Sequence, residues 1–176
     1  MSCVNFRDVG EWITLLGRGD LLPAGRLLRG GKLDAVQEAA EISNPGTIVN
    51  LRQGPDRQTF GAEYRHVSIP NSYEKYDTTD PTVRRWLNAV AQAVCDAPAF
   101  PVMLHCTSGK DRTGVAVALL LTALDVPREI IVEEYLLSDG EVEQAWIERA
   151  LDGIGDVRRY LARVEVQRLR TSLRGA

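Results

Sequence analysis

Cys106 is followed six positions later by Arg112 and then by Thr113, within the string His105-Cys106-Thr107-Ser108-Gly109-Lys110-Asp111-Arg112-Thr113-Gly114. These residue types suit attack on phosphorus. A thiol that titrates at about 8.5 is a poor nucleophile at neutral pH; inward-facing backbone amides, a helix N-terminus and a neighbouring guanidinium all favour the thiolate. Arg112 presents a planar fork of donors that can grip two phosphoryl oxygens, the more so as charge spreads over them during transfer. Thr113 can donate its hydroxyl to the sulfur when the sulfur becomes the leaving group. The expected reaction is covalent: Cys106 attacks phosphorus, a phosphocysteine forms, and water releases phosphate. Thr107, Ser108, Gly109, Lys110, Arg112 and Thr113 are the expected phosphate contacts, with no metal or cofactor required. Gly109-Lys110 is followed by Asp111, which separates the loop from a nucleotide-binding Walker loop.

Such a cradle needs a strand before it and a helix after it. The apolar run Val102-Met103-Leu104 precedes the loop and the run from Val115 to Leu121 follows it, which reads as strand, glycine-containing turn, helix. A helix N-terminus offers free N–H groups and the positive end of a dipole to an anion. Two further strands are expected, Thr47-Ile48-Val49-Asn50 and Arg65-His66-Val67-Ser68-Ile69. Strands each leading through a loop to a helical pattern imply an α/β fold, a central, mainly parallel sheet flanked by helices. A helix over about 81 to 95 starts at Pro81 and places Val83, Leu87, Val90 and Val94 on one face. Pro127 opens another carrying Ile130, Ile131 and Tyr135, and a last one is expected over about 154 to 170 with Ile154, Val157, Leu161 and Val164. The apolar stripes are core.

A departing alkoxide or phenolate needs a proton. Ligands bind over the carboxyl ends of parallel strands, which brings Arg52, the stretch Pro70 to Asp80 and the Cys106 loop to one rim. Three aspartates there could act as the acid. Asp111 lies inside the cradle. Asp77 and Asp80 lie in the segment Tyr73 to Pro81, which has turn chemistry and could close over a substrate. Each also has a structural use: Asp80 before Pro81 is a good N-cap, and Asp111 suits the first turn of a helix. His105 is expected to hydrogen-bond the loop backbone, and His66 to sit in or beside a strand.

The string from His105 to Gly114 resembles the signature loop of the cysteine-dependent protein tyrosine and dual-specificity phosphatases. Its Gly-Lys-Asp-Arg-Thr-Gly form is most similar to the bacterial tyrosine/lipid phosphatase branch. Asn5-Phe6-Arg7-Asp8-Val9-Gly10 resembles the opening motif of that branch, with weaker echoes at Gly25-Arg26-Leu27-Leu28-Arg29 and Asn50-Leu51-Arg52. Glu11, Gly30 and Asn50 depart from the usual pattern, in which glycine, serine and aspartate are commoner. The resemblance implies catalytic Cys106, Arg112 and Asp111, with Asp111 as the acid. It also implies substrates that are phosphotyrosine proteins, phosphoinositides or other small phosphate esters. Lys110 adds a second positive charge that suits a multiply phosphorylated ligand such as an anionic lipid head group.

Composition is compatible with this. The 176 residues, 44% of them hydrophobic, suffice for one domain over 1–176 with a substantial core. A net charge of −3 argues against general nucleic-acid binding. An odd cysteine count of 3 suggests free thiols and a cytoplasmic location. No run has the length of a transmembrane helix and the N-terminus lacks a signal-peptide stretch. Two histidines without a Cys/His cluster leave little room for a metal site. The arginines at 158, 159, 163, 168, 170 and 174 are expected to form the solvated face of the last helix. Two other functions compete with the phosphatase: a non-catalytic phosphate-binding module, and a rhodanese-type sulfurtransferase, against which the spacing of Arg112-Thr113-Gly114 speaks.

Overall fold

Three four-residue strands with every residue buried form the middle of the sheet: β2 (Leu27–Gly30), β3 (Thr47–Asn50) and β5 (Val102–His105). They belong to a computed structural model that describes residues 2–175. The sheet is completed by β1 (Arg7–Asp8) and β4 (Glu63–His66) in the order β1-β2-β5-β3-β4, with only β1 antiparallel to its neighbour. Burial on both faces is what a parallel sheet needs. β5 is central, so the loop that follows it leaves from the middle of the sheet.

Alternation along the strands divides the core in two. Leu28, Met103 and Ile48 are in register across β2, β5 and β3 and pack with Cys3, Leu33, Val36 and Ile42. On the other face Leu27 lies beside Val102 and Val49 beside Leu104, joined to the larger core that the helices supply. A side chain such as Leu27 or Val49, fully withdrawn from water, contributes about 2 kcal/mol. The helices flank one face, and loops with a short 3₁₀ turn at Ala39–Ile42 cover the other.

The helices are α1 (Val9–Leu15), α2 (Pro81–Cys95), α3 (Asp111–Ala123), α4 (Arg128–Leu136), α5 (Gln144–Ile154), α6 (Val157–Tyr160) and α7 (Val166–Arg174). α2 begins where Asp80 and Pro81 predict, the Asp80 carboxylate accepting from Thr82 N and Val83 N. The helix expected over 154 to 170 is instead three pieces. Gly155 has φ +54° and ends α5, and Asp156 accepts from Arg158 N and Arg159 N to start α6 afresh. The apolar spacing survives the break because Ile154, Val157, Leu161 and Val164 are buried regardless. The second expected strand begins earlier and ends at His66, and β3 runs to β4 through a loop with no helix between.

The arginine cluster is only partly solvated. Arg170 is buried, with Nε donating to Ala123 O at 2.6 Å and Nη2 pairing with Asp125. Arg174 donates to Leu21 O and Leu124 O, so these two arginines tie α7 to the end of α3. No helix among the described residues is long and apolar enough to cross a membrane.

Gly10, in the first turn of α1, packs so closely on the 23–24 backbone that a Cβ there would sit 2.0 Å from Pro23 O. Gly10→Ala is expected to lose about 2 kcal/mol in urea unfolding. An unchanged midpoint would contradict this packing.

Candidate active site

Cys106 follows directly on β5, 1% exposed, and α3 begins at Asp111. The intervening loop is held from outside by its carbonyls. Lys32 N donates to Thr107 O at 3.0 Å, Asn5 Nδ2 to Ser108 O at 2.8 Å and Arg29 Nη2 to Gly109 O at 2.9 Å. In a trans peptide the carbonyl of one residue and the N–H of the next point opposite ways. Drawing those carbonyls outward therefore turns the N–H groups of Ser108, Gly109 and Lys110 to the inner side, beside the N-terminus of α3. Gly109 is required: its φ is +71°, and a Cβ there would lie 2.5 Å from Gly31 N.

Behind the loop lies a buried charge cluster. Arg29 Nη1 meets Glu134 Oε2 at 2.6 Å, and Arg7 Nε meets Glu134 Oε1 at 2.8 Å. Arg7 also donates to Glu134 O and Ser138 Oγ. Burial lowers the Arg7 guanidinium's proton affinity, as does the neighbouring Arg29, while Glu134 opposes both. Asn5, at φ +57°, also accepts from Asp139 N, joining the N-terminal segment to the loop after α4. The Asn5–Gly10 motif is thus the outer brace of the Cys106 loop.

The structure brings the expected residues together. Arg112 lies in the first turn of α3, its Nη1 donating to Leu51 O at 3.2 Å and its Nη2 to Thr107 Oγ1 at 3.3 Å. Thr113 is fully buried, and its Oγ1 has no hydrogen-bond partner among the described residues, which leaves the hydroxyl free to serve another acceptor. Asp111 receives Tyr76 Oη on Oδ1 at 2.7 Å and Lys110 Nζ on Oδ2 at 2.9 Å. The other two aspartates are occupied elsewhere. Asp80 caps α2, and Asp77 is half-buried and accepts from Thr79 Oγ1 at 2.6 Å. That hydrogen bond, with help from Arg149, holds the Asp77 carboxyl below its ordinary range, which suits a carboxylate better than an acid.

His105 does not bond the loop backbone. Its Nε2 is 2.7 Å from Asp56 Oδ2, both side chains buried, because the β5 end faces the loop after β3. His66 ends β4 and contacts Arg52 O. Arg52 pairs with Asp34 and Asp56. Asn50 turns its own loop, accepting from Arg52 N and donating to Gly54 O. Gly30 leaves room for Cys3, whose sulfur would stand 2.7 Å from a Cβ there. Burial pushes the Cys3 thiol up to about 11. Glu11 lies in the first turn of α1, exposed.

Sequence reasoning missed Glu134, Asp56, Tyr76 and Lys75. Lys75 loses proton affinity to burial first and to the Arg112 charge next. It lines a cavity of about 460 Å³ with Tyr73, Tyr76, Lys110, Asp111 and Trp146. A larger groove of about 630 Å³, between Arg84 and Ala162, contains none of the cradle residues.

Residues 1–174 match the tyrosine phosphatase family. The triple specificity protein phosphatase PtpB of Mycobacterium tuberculosis is 52% identical over 104 residues, covering 58% of this chain and 35% of its own. A Cupriavidus necator protein is 30% identical over 167 residues, covering 77% of this chain and 60% of its own. The chain therefore spans only about a third of the mycobacterial relative and three fifths of the other. Among solved structures, the core catalytic domain of the PP-IP phosphatase SIW14 from S. cerevisiae superposes with a TM-score of 0.58 at 14% identity, over 78% of this chain and 87% of that one. That likeness is one of fold.

The brace can be tested without touching the loop. Glu134→Gln keeps the shape and removes the carboxylate that pairs with both Arg7 and Arg29. A loss of about 3 kcal/mol in denaturant unfolding is expected, since one fully buried and one half-buried guanidinium lose their counter-charge. A loss below about 1 kcal/mol would contradict the account.

Proposed function

The chain belongs to the tyrosine phosphatase family, and on that premise we propose that it hydrolyses phosphomonoesters through a phosphocysteine on Cys106, without a metal. The observation that carries the reading is the outward pull on the carbonyls of Thr107, Ser108 and Gly109, which presents a row of amides above a cysteine. The substrate phosphate lies among those amides and the Arg112 fork. The Cys106 sulfur attacks phosphorus as the ester P–O bond breaks, and the departing oxygen takes a proton from Asp111. Water then attacks phosphorus, its proton returns to Asp111, and the sulfur leaves with the Thr113 hydroxyl donating to it. Amides and guanidinium fixed before substrate arrives stabilise the charge that spreads over the equatorial oxygens.

Residues 1–176 act as a single phosphatase domain, a reading supported by a core that runs from Val9 to Leu173. Phosphotyrosine protein and small phosphate esters are the substrate classes. Lys110 and Lys75 beside the cradle support a second anionic group on the ligand, as on an inositol lipid. Cys3, Cys95 and Cys106 are all free thiols, which supports a cytoplasmic location.

The test is phosphate release in EDTA from a phosphotyrosine peptide, a phosphoserine peptide and soluble phosphoinositides. Wild type is expected to turn over at least one of them, and Cys106→Ser and Arg112→Ala to lose about a thousandfold or more while remaining folded. Substantial turnover by Cys106→Ser would refute the mechanism. Binding of the phosphopeptide without turnover by the wild type would make the chain a phosphate-binding module.

A further inference from the structure

A residue that is acid in one step and base in the next must be held correctly in both protonation states. The donors on Asp111 differ in this. Lys110 Nζ lies 3.2 Å from Oδ1 and 2.9 Å from Oδ2. An ammonium only donates, so it holds the carboxylate and competes with a proton on Oδ2. Tyr76 Oη lies 2.7 Å from Oδ1. A neutral carboxyl keeps one carbonyl oxygen, so Tyr76 can go on donating to Oδ1 while Oδ2 carries the proton.

The tyrosine is itself fixed. Its one hydroxyl proton goes to the carboxylate, which accepts only, so the 2.7 Å bond between the Tyr76 and Tyr135 hydroxyls is donated by Tyr135. Tyr76 is 8% exposed and Tyr135 1%. Their rings meet edge to face at 6.2 Å, and the Trp146 ring lies against Tyr76 at 5.7 Å, tilted by 43°. The Tyr135 ring packs on Gly114, where a Cβ would come within 2.9 Å of it. Burial, foremost, drives the Tyr76 phenol well above its ordinary titration range and raises Tyr135 as well, so each keeps its proton.

We propose that Tyr76, held by Tyr135, is a positioning residue for proton transfer, fixing Asp111 Oδ1 so that Oδ2 gives and takes the proton. This rests on the assignment of Asp111 as acid and base made above. In the first step the S–P bond forms, the ester P–O bond breaks, and the proton on Oδ2 passes to the departing oxygen. In the second, water attacks phosphorus, the S–P bond breaks, and the proton of water returns to Oδ2. Tyr76 keeps its own proton throughout. Lys110 has to release Oδ2 for this, and the phosphate dianion in the cradle is the competing acceptor for its ammonium.

The test is kcat/KM for a series of aryl phosphates, from phenyl phosphate to p-nitrophenyl phosphate, whose leaving group scarcely needs a proton. The proteins compared are wild type, Tyr76→Phe, Tyr135→Phe, Asp111→Asn and the Tyr76→Phe/Asp111→Asn double variant. Tyr76→Phe is expected to lose about tenfold on phenyl phosphate and less than about twofold on p-nitrophenyl phosphate. In the Asp111→Asn background it should cost nothing further on phenyl phosphate, since it acts through that carboxyl. Tyr135→Phe, which leaves the Tyr76 hydroxyl in place but removes its donor, should show the same pattern more weakly and keeps the test available should Tyr76→Phe unfold. Uniform losses across the series in the tyrosine variants, or none, while Asp111→Asn steepens the leaving-group dependence, would overturn the inference alone. No steepening in Asp111→Asn would overturn the acid assignment and this inference with it.

Discussion

Arg29 is the side chain on which the site depends. It is fully buried in β2, with one guanidinium nitrogen on Glu134 and another on the carbonyl of Gly109. Desolvating a guanidinium and a carboxylate is expensive, and what offsets it is the pairing of the two charges at 2.6 Å with a further bond to the Gly109 carbonyl, although Arg29 Nε has no partner among the described residues. What the arrangement gives is geometry. A loop held only by its own turns would present its amides in many ways; a carbonyl fixed to a charge that cannot move presents them in one. The cost of orienting the dipoles is met on folding.

α4 extends this control to both sides of the cradle. Glu134 faces inward to the two arginines, and its neighbour Tyr135 packs on Gly114 in the first turns of α3 and reaches the Tyr76 hydroxyl. Consecutive residues of one helix therefore fix the floor of the Cys106 loop and the Asp111 carboxyl at its edge. The N-terminal segment closes the same circuit from outside through Asn5 and Arg7. Both helix and segment are remote in sequence from Cys106, yet neither can shift without moving a loop carbonyl or a loop counter-charge.

Parts of this were legible in the sequence because they are local. The cysteine, arginine and threonine sit in one string, β3 and β5 are apolar runs, and Asp80-Pro81 starts α2 by a capping rule that acts over three residues. What was illegible is long-range. Glu134 and Asp56 are ordinary acidic residues in a sequence, and only the fold puts them against Arg29 and His105. The break at Gly155 was hidden because the apolar spacing continues across it and each piece buries its own side chains. Arg170 and Arg174 looked like solvated charge because composition cannot tell a guanidinium in water from one serving helix-end carbonyls. The Asn5–Gly10 motif could be matched by resemblance, but its mechanical role is visible only in its bonds to the Ser108 carbonyl and Glu134.

The central claim is that phosphate passes through the Cys106 sulfur. The most direct measurement is a rapid acid quench of the full chain during turnover of a phosphotyrosine peptide in EDTA, followed by peptide mapping by mass spectrometry. A phosphoryl group on the peptide carrying Cys106, appearing before free phosphate and absent from Cys106→Ser, is the predicted result. Steady release of phosphate with no phosphorylated Cys106 at any quench time, or with the group on another residue, would contradict the account.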